Sequence, residues 1–100
     1  MTTQERFINC VRAERQFQEE KWGIQIHSGH CWVSIMAEEF GEFAKHVNEE
    51  ETGAAMRELV QIAAVCCAAW EQQADGVADL LPAFGVCGQT PAEAKKGADG

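Results

Sequence analysis

From Leu59 to Trp70 the chain is apolar almost all round a helical wheel. Leu59, Val60, Ile62, Ala63, Ala64, Val65, Cys66, Cys67, Ala68 and Ala69 follow one another with only Gln61 between them. Such a helix is central, with neighbours on more than one of its sides. Its many small residues let those neighbours approach closely. The pattern predicts a helix from about Glu51 to Gln73, and one antiparallel partner cannot cover it. A chain of 100 residues has few other helices to complete the cover. An all-α core finished by oligomerisation, with a homodimer as the minimum, is therefore expected.

Two further helices precede it. Thr2 with Glu5 has capping-box form at the start of the first. Phe7, Cys10, Val11 and Phe17 give it a narrow apolar stripe, and Gly23 stops it after Trp22. Residues 23–29 read as a loop offering Gln25, His27 and Ser28, with His30 just beyond. The second helix runs from Ser28 or His30 to Val47, about 28 Å at the usual rise. An acidic turn, residues 48–53, leads into the third, where the macrodipole favours negative charge. After Asp75 and Gly76 the character changes. Val77, Leu80, Leu81 and Phe84 form at most a turn or two before Pro82 and Gly85. Thr90-Pro91-Ala92-Glu93 opens a last short helical element. The expectation is a helical bundle of three main helices over residues 1–76, with an irregular tail, 77–100, carrying a weak C-terminal helical element.

Charge narrows the partners. The formal net charge is −8 and the pI about 4.7, which disfavours a nucleic-acid polymer or an anionic membrane surface. No apolar run is expected to approach a membrane span. A small phosphate-bearing ligand remains compatible if divalent metal supplies positive charge. The five cysteines are odd in number and include no CxxC, so they read as core thiols of a cytoplasmic protein.

Glu38-Glu39-Phe40-Gly41-Glu42 sets three carboxylates inside the apolar pattern of the second helix. With Met36 as the centre of the buried face, Trp32, Phe40, Phe43 and Val47 fall within about 40° of it, at about 100° per residue. Glu39 lies about 60° off centre and Glu42 about 120° off, on one flank, while Glu38 points away. Charge beside an apolar stripe is costly unless something positive sits there. On the third helix Glu58 and Gln61 also share a flank, and a short antiparallel turn can bring it opposite Glu39 and Glu42. Hard oxygen ligands of this kind suit Mg²⁺ or Mn²⁺ rather than zinc.

At these residues the chain resembles the MazG-like all-α nucleoside triphosphate pyrophosphohydrolases, whose motif is EExxE, a variable spacer, then ExxD. Here it reads Glu38-Glu39-Phe40-Gly41-Glu42, a spacer, and Glu58-Leu59-Val60-Gln61. The Lys21-Trp22-Gly23 corner and the apolar lead-in from Trp32 to Met36 fit as well. The resemblance covers residues 14 to 72. It implies a tightly oligomerised helical core, a homodimer or homotetramer, that binds Mg²⁺ and cleaves a nucleoside triphosphate to monophosphate and pyrophosphate. It assigns metal to Glu39, Glu42 and Glu58, with Gln61 in the place of the usual aspartate and Glu38 in support. Glu39 or Glu38 is the expected proton acceptor. The amide of Gln61 supplies oxygen without charge, so metal affinity should fall. The other reading is a catalytically weakened relative that serves as a nucleotide-binding or oligomeric interaction module.

Trp22, His27, His30 and Trp32 are the candidates for recognising a base, and Lys45 for a phosphate. Each also has a plainer reading: an indole near a helix start packs in the core, and a surface lysine is solvated. His46, four residues after Glu42, reads as a local partner of that acid.

Overall fold

A computed structural model describes residues 1–81 as three α-helices: α1 (Thr3–Trp22), α2 (Gly29–Asn48) and α3 (Thr52–Ala74). The all-α class expected from the periodicity is the one observed. The expected element at Thr90 lies outside the described residues. Each helix starts where the chemistry places it. Thr2 Oγ1 accepts from the Glu5 N–H at 3.0 Å and Glu5 Oε2 from the Thr2 N–H at 3.1 Å, a complete capping box. Ser28 Oγ accepts from the Cys31 N–H and caps α2. α1 ends on Gly23, whose φ of 72° belongs to the left-handed region that glycine enters freely. The tight turn from α2 to α3 puts Glu50 at φ 58°. Glu51, the N-cap of α3, makes no capping hydrogen bond; its carboxylate turns to His46 instead.

α3 is central. It packs against both α1 and α2, and α1 and α2 do not pack on each other. The α2–α3 core is Trp32, Val65 and Ala69, with Ile35, Met36, Ala68 and Leu80 against it. α1 meets α3 through a mostly polar edge of half-buried residues, Val11, Glu14, Arg15 and Gln18. Its expected stripe is not part of that core: Phe7, Cys10 and Phe17 are exposed, because α1 turns the Val11, Glu14, Arg15 and Gln18 face to α3, where Arg15 and Gln18 meet Glu71 and Gln61.

Three further expectations are corrected. The loop of residues 23–28 is not a solvent-facing strap throughout, since Ile26, His27 and Ser28 are buried. The amide of Gln72, itself buried, holds this segment. Its Oε1 accepts from the His27 N–H and from Trp32 Nε1, each at 3.0 Å, and its Nε2 donates to His27 O at 2.8 Å and Ala78 O at 3.2 Å. Second, Cys31 is disulfide-bonded, while the other described cysteines, Cys10, Cys66 and Cys67, are free thiols. Third, α3 is long and apolar enough by length and composition to cross a membrane, with a mean hydropathy of 1.2 over an 18-residue window. No apolar run approaching a span was expected from the sequence, yet the residues from Leu59 onward carry the average even with Arg57 and Glu58 inside the window.

Residues 77–81 are irregular but belong to the packed unit. Leu80 rests on the core and its carbonyl accepts the Gly29 N–H at 2.9 Å. A Cβ on Gly29 would lie 2.7 Å from that oxygen, a backbone atom that cannot swing away. Gly29→Ala should therefore destabilise the fold by about 1–3 kcal/mol, the usual cost of overpacking. A denaturation midpoint equal to wild type would show that the 77–81 segment is free to move.

Candidate functional site

Because α1 and α2 both rest on α3 without touching, a cavity of about 580 Å³ opens between them. This is within the range of small-molecule sites. Arg15, Gln18 and Trp22 of α1 form one wall, and Trp32, Ile35 and Glu39 of α2 the other. Gln61, Val65, Ala68 and Glu71 of α3 form the floor, and residues 23–25 with His27 close one end. Arg15 is already engaged, donating from Nε to Glu71 at 3.1 Å and from Nη2 to Glu19 at 2.9 Å. Glu71 also accepts from the Cys67 thiol at 3.1 Å, and that bond with Arg15 beside it holds its carboxyl below the ordinary range.

The acids gather at the far end, towards the α2–α3 turn. Glu39 lines the cavity, and Glu42 lies one turn further along α2. Glu58 lies one turn before Gln61 on α3. The carboxyl of Glu58 lies against that of Glu39, and oxygens of Glu42 and Glu58 come within 4.8 Å of each other. Burial first, then the Glu58 carboxyl beside it and the charges of Glu58, Glu38 and Glu42, push Glu39 up to about 7. Oε2 of Glu58 is buried without a hydrogen-bond partner. An orphaned carboxylate oxygen amid like charges fits a bound cation better than an empty structural role. Glu58 thus faces α2 as the flank geometry expected, and it and Glu39 are half-buried, whereas Glu42 is exposed. Glu38 is exposed and acts on Glu39 only through its charge.

The raised Glu39 fixes a sign. A carboxyl that binds its proton more tightly when folded adds stability fully below its ordinary value of 4.5, and that stability is lost as pH rises through about 7. The metal-free protein should melt lower at pH 8 than at pH 5 for this reason. Glu39→Gln, which keeps a donor towards Glu58, should flatten that difference. At pH 8 it should raise the melting temperature by roughly 4–8 °C, taking about 1 kcal/mol after solvent screening. Identical pH profiles for the two proteins would place the strain elsewhere.

The other expected site residues divide. Trp22 is exposed at the cavity mouth, with Lys21 Nζ 4.7 Å from its ring. Trp32 and His27 line the cavity but are core groups, their rings edge-to-face at 4.6 Å and their backbone or ring nitrogens committed to Gln72. Burial holds His27 below its ordinary value, so it is neutral at pH 7. His30 and Lys45 are exposed and do not line the cavity; Lys45 sits near Glu49 and Glu51. Gln61 does line it, and its Oε1 accepts from Gln18 Nε2 at 3.5 Å. Two residues were not anticipated at all. Gln72 has no sequence signal beyond an amide at the end of an apolar helix. His46 was read only as a partner of Glu42, yet its Nε2 lies 3.9 Å from Glu58 Oε1.

No family model, curated protein or solved structure matches the chain. The functional argument therefore stands on this geometry and on the motif.

Proposed function

We propose that the protein is a metal-dependent nucleoside triphosphate pyrophosphohydrolase that cleaves its substrate to the monophosphate and pyrophosphate. The observation that carries this reading is the convergence of Glu39, Glu42 and Glu58 at one end of the cavity, with an unpartnered carboxylate oxygen among them. Glu39, Glu42 and Glu58 would hold Mg²⁺ or Mn²⁺, with Gln61 contributing an amide oxygen. The ion would neutralise the phosphates as they approach the acids and stabilise the leaving pyrophosphate. The chain's own contribution is positional. Glu39, with a proton affinity near neutrality, is suited to take a proton from water at pH 7. The cavity beside it has an apolar wall of Ile35, Val65 and Ala68, and Trp22 offers a face for a base at the mouth.

The reading includes a second copy of the chain. Val33, Phe40 and Val47 are exposed at seven-residue intervals along α2, and Met56, Leu59 and Trp70 are exposed along α3. On the α3 wheel these last three lie away from Gln61, which meets α1, and from Val65, which packs on α2. The α2–α3 hairpin therefore carries α1 on one side and an uncovered apolar face on the other. Its six large side chains expose on the order of 500 Å². A symmetric pairing of two such faces makes a four-helix core.

A weakened relative remains the second reading, because the Gln61 oxygen is already used by Gln18. Pyrophosphate release from a panel of nucleoside triphosphates with Mg²⁺ and Mn²⁺, by wild type and Gln61→Asp, separates the two. An enzyme limited by charge gains activity at low metal in Gln61→Asp. A chain adapted to the amide loses stability instead, through added charge beside Glu58. Absence of pyrophosphate from both proteins with every nucleotide defeats the enzyme reading.

A further inference from the structure

We propose that His46 is a ligand of the same metal site, and that its nitrogen shifts the site's preference from Mg²⁺ towards later first-row divalent ions. The proposal rests on the reading that Glu42 and Glu58 hold a metal. It goes beyond the motif, which consists of oxygen donors alone.

Three observations carry it. Glu42 and His46 stand one turn apart on α2, and each offers a donor atom within 4.8 Å of a Glu58 oxygen and of the other. His46 Nε2 is the ring atom nearest Glu58, at 3.9 Å from Oε1, too long for a hydrogen bond yet short enough to share an ion. The other ring nitrogen, Nδ1, is buried and lies 3.4 Å from Oε2 of Glu51, without a well-formed hydrogen bond. A carboxylate behind one imidazole nitrogen, with the opposite nitrogen turned to a ligand set, is how metal-binding histidines are oriented. A small rotation of the ring tightens both contacts. This also gives a use to Glu51, which occupies the N-cap of α3 but makes no capping bond.

The consequence concerns metal identity. Carboxylates with an amide oxygen suit Mg²⁺, whereas an imidazole in the set suits Co²⁺ and Zn²⁺. With Gln61 where the motif expects an acid, His46 supplies the donor that Gln61 brings without charge. It comes from the opposite helix and the opposite end of the cluster.

The test is metal binding by the full chain without nucleotide, with Co²⁺ alone and Mg²⁺ alone as probes, read by calorimetry and thermal shift. His46→Ala should weaken Co²⁺ at least about 10-fold and change Mg²⁺ little, while Glu42→Gln weakens both. Glu51→Gln should weaken Co²⁺ to a lesser degree. In wild type, paramagnetic displacement of the His46 ring signals by Co²⁺ is the expected signature, and it serves even where a variant folds poorly. Equal Co²⁺ affinity in wild type and His46→Ala, with binding lost in Glu42→Gln, overturns the proposal and leaves the metal site standing. Co²⁺ binding that survives Glu42→Gln but not loss of Glu49 and Glu51 places the ion on Nδ1 and also overturns it. No binding of either ion to wild type defeats this proposal and the metal-dependent function together.

Discussion

Glu58→Gln abolishes the metal-dependent rise in melting temperature and lowers pyrophosphate release at least about 100-fold, a loss that even outer partners of a metal site can produce. Glu58 is the acid α3 brings against Glu39 and within 4.8 Å of Glu42, so no rearrangement of α2 alone replaces it. In wild type, metal at about 100 times its dissociation constant should stabilise the fold by about 2.7 kcal/mol, or roughly 10–20 °C. The variant should show none of this. Its metal-free form should nevertheless melt slightly higher than wild type at pH 8, because a like charge has been removed from beside Glu39 and an amide can donate to it. The opposite signs matter: a merely damaged protein melts lower under both conditions. A metal-dependent rise of wild-type size in Glu58→Gln would move the ion away from the cluster.

If two hairpin faces pair as proposed, Phe40→Glu combined with Trp70→Glu should convert the dimer into a monomer. Wild type at micromolar concentration should scatter light as at least twice the chain mass of 11.0 kDa, and the double variant as one chain. These side chains are 56% and 71% exposed on the uncovered face of the hairpin, and neither belongs to the core around Trp32. Charge there should spare the α2–α3 packing and act on association. The loss should be large, since two desolvated carboxylates per copy would face their symmetry mates. Wild type scattering as a folded monomer would leave the apolar face, and the hydropathy of α3, needing another cover.

Much of this was legible in the sequence because it is carried by periodicity. The cap at Thr2, the stop at Gly23 and the flank shared by Glu39 and Glu42 all follow from spacing along one helix. The central position of α3 follows from its composition. What spacing could not give was the residue brought in from elsewhere. Ile26, His27 and Ser28 form a buried plug whose centre is held by Gln72, 45 positions after His27, through both backbone groups of His27. Trp32 was a candidate for stacking on a base although an indole near a helix start more often packs in the core, and its Nε1 bond to the same amide commits it to packing. His46 was hidden for another reason. Its meeting with Glu58 depends on the tight turn at Glu50, whose left-handed backbone no composition rule predicts for glutamate.

That α1 and α2 each lean on α3 yet never meet makes the spacing between them a property of α3 alone. Ala64 is fully buried and Ala68 lines the cavity, so the floor between the two helices is low there, built of methyl groups. Bulkier residues at these two positions would lift α1 and widen the aperture, leaving every carboxylate in place. The caliper that gauges the guest is thus built apart from the jaws that would act on it, and each can be reset without disturbing the other.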